Sequence, residues 1–146
     1  MIAQTIQLAL APVFVLVAIG NILNILSSRL GRVVDRSRVL QDRHAITSGR
    51  DHDMVVAEIR LTDRRIALIG QAMRLLVVSG LIIGLTVAIL FLEELVAMDL
   101  QRVAAGTFFL SIALLMWGLI LFLRETQIAM QALRVSEDYL ELGRDI

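Results

Sequence analysis

A polar stripe in an otherwise apolar segment contains the first candidate functional residues of this sequence. Asn21, Asn24 and Ser28 follow one another at i, i+3 and i+7, and Arg32 and Asp35 continue the stripe. Residues at this spacing share one face of a helix. An amide in lipid needs a hydrogen-bond partner because no water is present there. The stripe therefore indicates either hydrogen bonds to another helix or the lining of a water-filled path on the axis of a homo-oligomer.

A second polar group consists of three acids in a short segment. Glu93, Glu94 and Asp99 lie between two apolar segments. In a symmetric oligomer these carboxylates would recur around the axis and attract cations. In a single chain they indicate only an exposed loop.

Arginines at the edges of the apolar segments form a third group. Arg29, Arg32 and Arg74 are candidates for contacts with lipid phosphates, because basic residues at this depth meet anionic headgroups. Carboxylates are interspersed with the arginines nearby, which also favours a network of ion pairs between helices. The members of that network would be Arg29, Arg32, Asp35, Arg36, Arg38, Asp63, Arg64, Arg65, Arg124 and Glu125.

Two histidines lie in a polar segment with turn composition. His44 and His52 are close to Asp42, Asp51 and Asp53. Such a group could bind a metal or titrate near neutral pH. No metal-binding spacing such as HExxH is present, and turns are polar for ordinary reasons, so we expect no metal site.

Enzyme activity is not expected from this composition. The chain has no cysteine, and no P-loop, GxGxxG, GxSxG or zinc motif is found. The serines have no plausible base partner. We therefore expect no catalytic residues and no cofactor. The 14 basic and 14 acidic residues give zero net charge, which does not favour nucleic acid as a partner.

The elements that carry these residues are three apolar helices. Hydrophobic residues make up 58% of the 146 residues, too many for an ordinary soluble domain. About 20 helical residues cross a bilayer core, and three segments meet this length closely. The predicted single membrane domain comprises a first span at about 6–28, a hairpin at 29–74, a second span at about 75–92, an outer loop at 93–102, a third span at about 103–123 and a helical tail at 124–146.

Arginine counts in the connecting segments predict the orientation. Segment 29–74 contains ten arginines, whereas 93–102 contains only Arg102. Positive residues stay on the cytoplasmic side. We therefore expect the N-terminus outside and both the hairpin and the C-terminus in the cytoplasm.

Heptad spacing predicts that the helices continue beyond the membrane. One series runs from Leu23 to His44 and another from Val55 to Leu76, each at alternating steps of three and four. A similar series runs from Leu121 to Leu142. The predicted fold is all-α: three transmembrane helices that extend into a cytoplasmic antiparallel helical hairpin or bundle, with Asp51 or Asp53 as N-cap of the second helix.

Small residues in the second span predict close helix packing. Gly80, Gly84 and Ala88 recur every four residues, which allows two backbones to approach. Gly20, Gly106 and Gly118 could serve the same purpose. The spacing does not identify the helix that packs there.

Three sequence segments together resemble a known family. They are Ala11-Pro12, the run from Leu26 to Arg36 that reads LSSRLGRVVDR, and Phe122-Leu123-Arg124-Glu125. The combination resembles a bacterial family of small three-helix integral membrane proteins catalogued as a domain of unknown function. This resemblance implies a bacterial plasma (inner) membrane protein and supplies no catalytic or binding residues.

The architecture leads to two functional hypotheses. The first is a homo-oligomer that forms a channel-like or pore-like, cation-selective assembly with helix one lining the axis. The alternative is a structural or regulatory membrane subunit whose cytoplasmic bundle docks a partner protein or anionic lipid. Membrane lipids are expected partners in both.

Overall fold

The chain folds into three α-helices in a computed structural model that describes residues 2–96 and 99–132. The helices are α1 (Ile2–His44), α2 (Arg50–Val96) and α3 (Gln101–Ala132), and the described residues contain no strand. The predicted all-α class is confirmed. The part of the predicted tail at 133–146 lies outside the described residues.

Each helix is long and apolar enough to cross a membrane, as the sequence predicted. At 1.5 Å per residue, the 43 residues of α1 and the 47 of α2 extend about 65 and 70 Å. A hydrocarbon core is only about 30 Å thick. Both helices are therefore longer than a single crossing requires, and α1 runs through Pro12 and Gly31 without interruption.

A tight turn joins α1 to α2. The backbone N–H groups of Ile46 and Thr47 both donate to the carbonyl oxygen of Arg43 at 3.1 Å. Gly49 has a φ of 66°, a left-handed conformation that glycine adopts without a Cβ clash. Because α2 already begins at Arg50, the predicted N-cap is wrong: the two aspartates lie in the first turn, where the helix dipole favours negative charge.

Helix α2 is the central helix, with α1 and α3 antiparallel to it on either side. It makes most of the helix–helix contacts, and α1 and α3 contact each other much less. We call the end of the bundle with the α1–α2 turn the hairpin end. The buried apolar residues that join the helices are Ile19, Leu26, Val33, Ile69, Ala72, Leu76, Ile83 and Leu121.

The small-residue stripe packs only in part. A Cβ on Gly80 would lie 3.5 Å from Leu16 Cδ1 of α1, whereas Gly84 has no neighbour within 4 Å and Ala88 is exposed. The tightest glycine is Gly118, where a Cβ would lie 3.3 Å from Leu76 Cγ. Gly20 and Gly106 have open space around them.

Buried hydroxyls also join α2 to α3. Ser79 Oγ donates to the carbonyl oxygen of Ser111 at 2.8 Å, and Thr86 Oγ1 donates to Thr107 Oγ1 at 2.9 Å. The Ser111 hydroxyl itself is buried and has no hydrogen-bond partner among the residues that the structure describes. These contacts fix the depth of α3 relative to α2.

Candidate functional site

One carboxylate connects all three helices near the end of their apolar segments. Glu125 of α3 is fully buried. Its Oε2 accepts hydrogen bonds from Arg29 of α1, at 3.1 Å from Nε and 2.7 Å from Nη2. Its Oε1 accepts from Arg65 Nε of α2 at 3.0 Å. Two guanidinium groups thus share one buried negative charge.

Local sequence explains why these side chains meet. In the heptad series of α3, Glu125 follows Leu121 by four residues, so it occupies a position that faces the other helices. Phe122 of the same helix lies beneath Arg29, whose Cζ is 5.3 Å from the ring centroid. This cation–π contact and the ion pair hold the Arg29 guanidinium from two sides.

A cavity of about 220 Å³ opens beside these three charged residues. All three helices contribute to its lining, at the hairpin-end limit of the apolar segments of α1 and α3. Arg32 also lines it and makes no ion pair among the described residues. The full lining is Arg29, Arg32, Val33, Arg65, Thr126, Ala129 and Met130.

Only two of the three predicted lipid-contacting arginines share this cavity. Arg29 and Arg32 line it, but Arg74 lies about 13 Å along α2 from Arg65, nine residues away. Arg74 lines a separate recess with Trp117 and Leu121. The third arginine that lines the cavity is Arg65, because its turn of α2 is level with Glu125 and the turn of Arg74 is not.

The predicted polar stripe of α1 is exposed on the protomer. Asn21, Asn24, Ser28, Arg32 and Asp35 are all exposed, and Arg32 also lines the cavity that it shares with Arg65 of α2. Ser28 Oγ donates to the Asn24 carbonyl oxygen of its own helix at 3.1 Å. No hydrogen bond of either asparagine side chain is found within the described part of the chain.

The three predicted outer acids differ in environment. Glu93 is half-buried, while Glu94 and Asp99 are exposed. Glu94 Oε2 accepts a hydrogen bond from Thr5 Oγ1 of α1 at 3.3 Å. Glu93 and Glu94 therefore lie beside the start of α1, at the opposite end from the hairpin.

The two histidines meet at the turn. The ring centroids of His44 and His52 are 4.4 Å apart, and Thr47 Oγ1 lies 3.4 Å from His52 Nδ1. His44 was predicted on the helix–helix seam, but it is exposed because α1 ends there. Within residues 2–96 and 99–132, no group of three potential metal ligands is found.

The sequence did not identify every pair in the ion network. Arg36 bonds Glu58, with 2.7 Å between Nη2 and Oε1, and Glu58 was not among the predicted partners. The sequence placed Glu125 in the predicted network but did not identify it as the residue that bonds both other helices. Its place in the apolar heptad series was the available signal, because a charge at such a position must find partners.

Comparisons with known proteins identify a family for this chain. No curated protein matches the chain, and no solved structure does. A family model covers residues 9–135, which include all the charged residues of the site. The resemblance seen in the sequence is thereby confirmed, and the chain belongs to the family described as "Protein of unknown function (DUF2721)".

Proposed function

We propose that this protein forms a homo-oligomer in the bacterial inner membrane, with α1 helices lining a channel-like path on the axis. The observation that carries the proposal is the exposure of Asn21 and Asn24 within an apolar helix. An unsatisfied polar group in hydrocarbon costs several kcal/mol, so lipid is a poor neighbour for either amide. In an oligomer, the same face of neighbouring copies would supply hydrogen-bond partners for these amides, and the axial path would supply water.

The charges at the two ends of the stripe suit such a path. Arg32 and Asp35 continue the exposed face of α1 toward the hairpin end, which we place in the cytoplasm as a vestibule or gate. Glu93, Glu94 and Asp99 at the other end would concentrate cations. Exposed Gly84 and Ala88 leave room for a neighbouring helix.

Cysteine cross-linking and ion flux together test the proposal. The chain has no native cysteine, so Asn24→Cys gives a single reporter. We expect oxidation in membranes to link Asn24→Cys protomers, and the matched exposed position Met116→Cys on α3 to stay unlinked. Purified wild-type protein in liposomes should release cations faster than empty vesicles. Cross-linking through α3 instead of α1, or flux equal to that of empty vesicles, would contradict the proposal.

A second candidate function is docking of a partner protein at the turn. It is favoured by Ile46, which is 83% exposed, and Met54, which is 62% exposed. Large apolar side chains on a water-exposed turn are typical of an interaction surface. The double variant Ile46→Ser, Met54→Ser distinguishes the two: flux stays unchanged if the path is the function, whereas docking predicts loss of a co-purifying partner.

A further inference from the structure

We propose that the cavity beside Glu125 is a binding site for a phosphate-type anion, held by Arg29, Arg32 and Arg65. The site goes beyond the axial path proposed above and does not depend on it, because a single protomer supplies all three arginines. Four observations carry the inference: the charge balance, the unused donors, the shape of the cavity and its depth.

The charge balance leaves positive charge in a largely buried place. The side chains of Arg29 and Arg65 are each 23% exposed, and Glu125 is fully buried. One carboxylate neutralises only one of the two guanidinium groups. Arg32 raises the local net charge to two positive. Partly desolvated charge without a counterion is unfavourable, so the cavity favours an added anion.

The guanidinium groups also have donors to spare. Arg29 uses Nε and Nη2 on Glu125, which leaves Nη1, and Arg65 uses only Nε. The remaining N–H groups make no hydrogen bond to any residue that the structure describes. Guanidinium groups bind phosphate oxygens in pairs, with good geometry and strength. Because Glu125 fixes two of the three arginines, little side-chain freedom would be lost on binding.

The cavity has the shape and depth for a lipid phosphate. Its volume of about 220 Å³ accommodates a phosphate group, and Val33, Ala129 and Met130 give it apolar walls. The uncharged segment of α1 ends immediately before Arg29, so the arginines lie at the membrane–water boundary. Lipid phosphates occupy that depth. A dissolved phosphate could reach the same donors from the water side.

Thermal unfolding of the full-length protein in neutral detergent tests the site. The probes are phosphatidylglycerol, phosphatidylcholine and inorganic phosphate, each at the same ionic strength. The test variant is Arg32→Gln, because this exposed arginine makes no ion pair with any described residue and its loss should not impair folding. The matched control is Arg38→Gln, an exposed arginine on the same helix that does not line the cavity.

We expect phosphatidylglycerol to raise the Tm of the wild type and of Arg38→Gln more than phosphatidylcholine does. For Arg32→Gln the apparent affinity should be about fivefold weaker, the effect of one basic residue near an anionic surface. If inorganic phosphate also raises the Tm, the phosphate group alone suffices for binding. If only phosphatidylglycerol raises it, the ligand is a lipid headgroup. Equal responses of the two variants, or no response of the wild type to either anion, would overturn the proposal.

Discussion

Glu125 and Arg29 are joined by two hydrogen bonds to a single carboxylate oxygen, Oε2, although 96 positions separate them in the chain. This pair connects α3 to α1, the two helices that contact each other least. Because Arg65 of α2 binds the other oxygen of the same carboxylate, Glu125 is, within residues 2–96 and 99–132, the one side chain that bonds both other helices. The junction should therefore matter more to stability than an ordinary surface ion pair.

Replacement of Glu125 by glutamine should test this directly. Glu125→Gln removes the negative charge and leaves two guanidinium groups facing each other in a partly buried place. We expect the free energy of unfolding to fall by about 2–3 kcal/mol, measured by titration of detergent-solubilised protein with SDS. The matched control is Glu58→Gln, which breaks an exposed pair and should cost less than about 1 kcal/mol. Equal losses for the two variants would show that the junction is not special.

The close approach of α3 to α2 makes a second prediction. At Gly118 an added Cβ would lie 3.3 Å from Leu76 Cγ and 3.5 Å from the Ala72 carbonyl oxygen, so the methyl groups of Gly118→Val have no room. We expect a loss of about 1–3 kcal/mol in the same SDS titration, which is typical of overpacking. Gly106→Val on the same helix is the control, because nothing lies within 4 Å of that position. If Gly106→Val lost as much stability as Gly118→Val, the cause would be helix propensity and not packing.

The two serines between α2 and α3 should respond in opposite directions. Ser79→Ala removes a buried donor to the Ser111 carbonyl and should lower the free energy of unfolding by about 0.6 kcal/mol, the average for such bonds in membranes. Ser111→Ala removes a buried hydroxyl that has no partner in the described part of the chain, so it should be neutral or stabilising by up to about 1 kcal/mol. Each variant serves as the control for the other. A larger loss for Ser111→Ala would mean that its hydroxyl has a partner after all.

Association through the polar face of α1 gives a fourth prediction. The double variant Asn21→Leu, Asn24→Leu replaces both amides with apolar side chains and leaves the α1–α2 packing intact. If copies associate through these amides, the loss of about 0.6 kcal/mol for each amide should weaken self-association by about eightfold. Light scattering during size-exclusion chromatography in mild detergent would measure it. Val17→Leu, an exposed change on the same helix, should leave the assembly unchanged.

The sequence alone determined the number and approximate limits of the helices. Hydrophobicity is a local property, so the uncharged segment before Arg29 and the one between Arg102 and Arg124 predict spanning helices whatever surrounds them. The heptad series likewise predicted helix faces that are buried in the structure, such as Leu26 and Leu40 on α1. Burial along one helix depends on spacing, which the sequence contains.

Only the tertiary structure decided which side chains meet across helices. The sequence offered several arginines and carboxylates near one depth, and it named Gly84 and Gly118 among its candidate packing residues without their partners. Within the protomer, the structure brings Arg65 to Glu125 and presses Gly118 against α2, while Gly84 stays open. The physical reason is that a partner across helices depends on the depth and rotation of each helix relative to the next. Packing of the whole bundle fixes these quantities, and residue spacing within one helix does not.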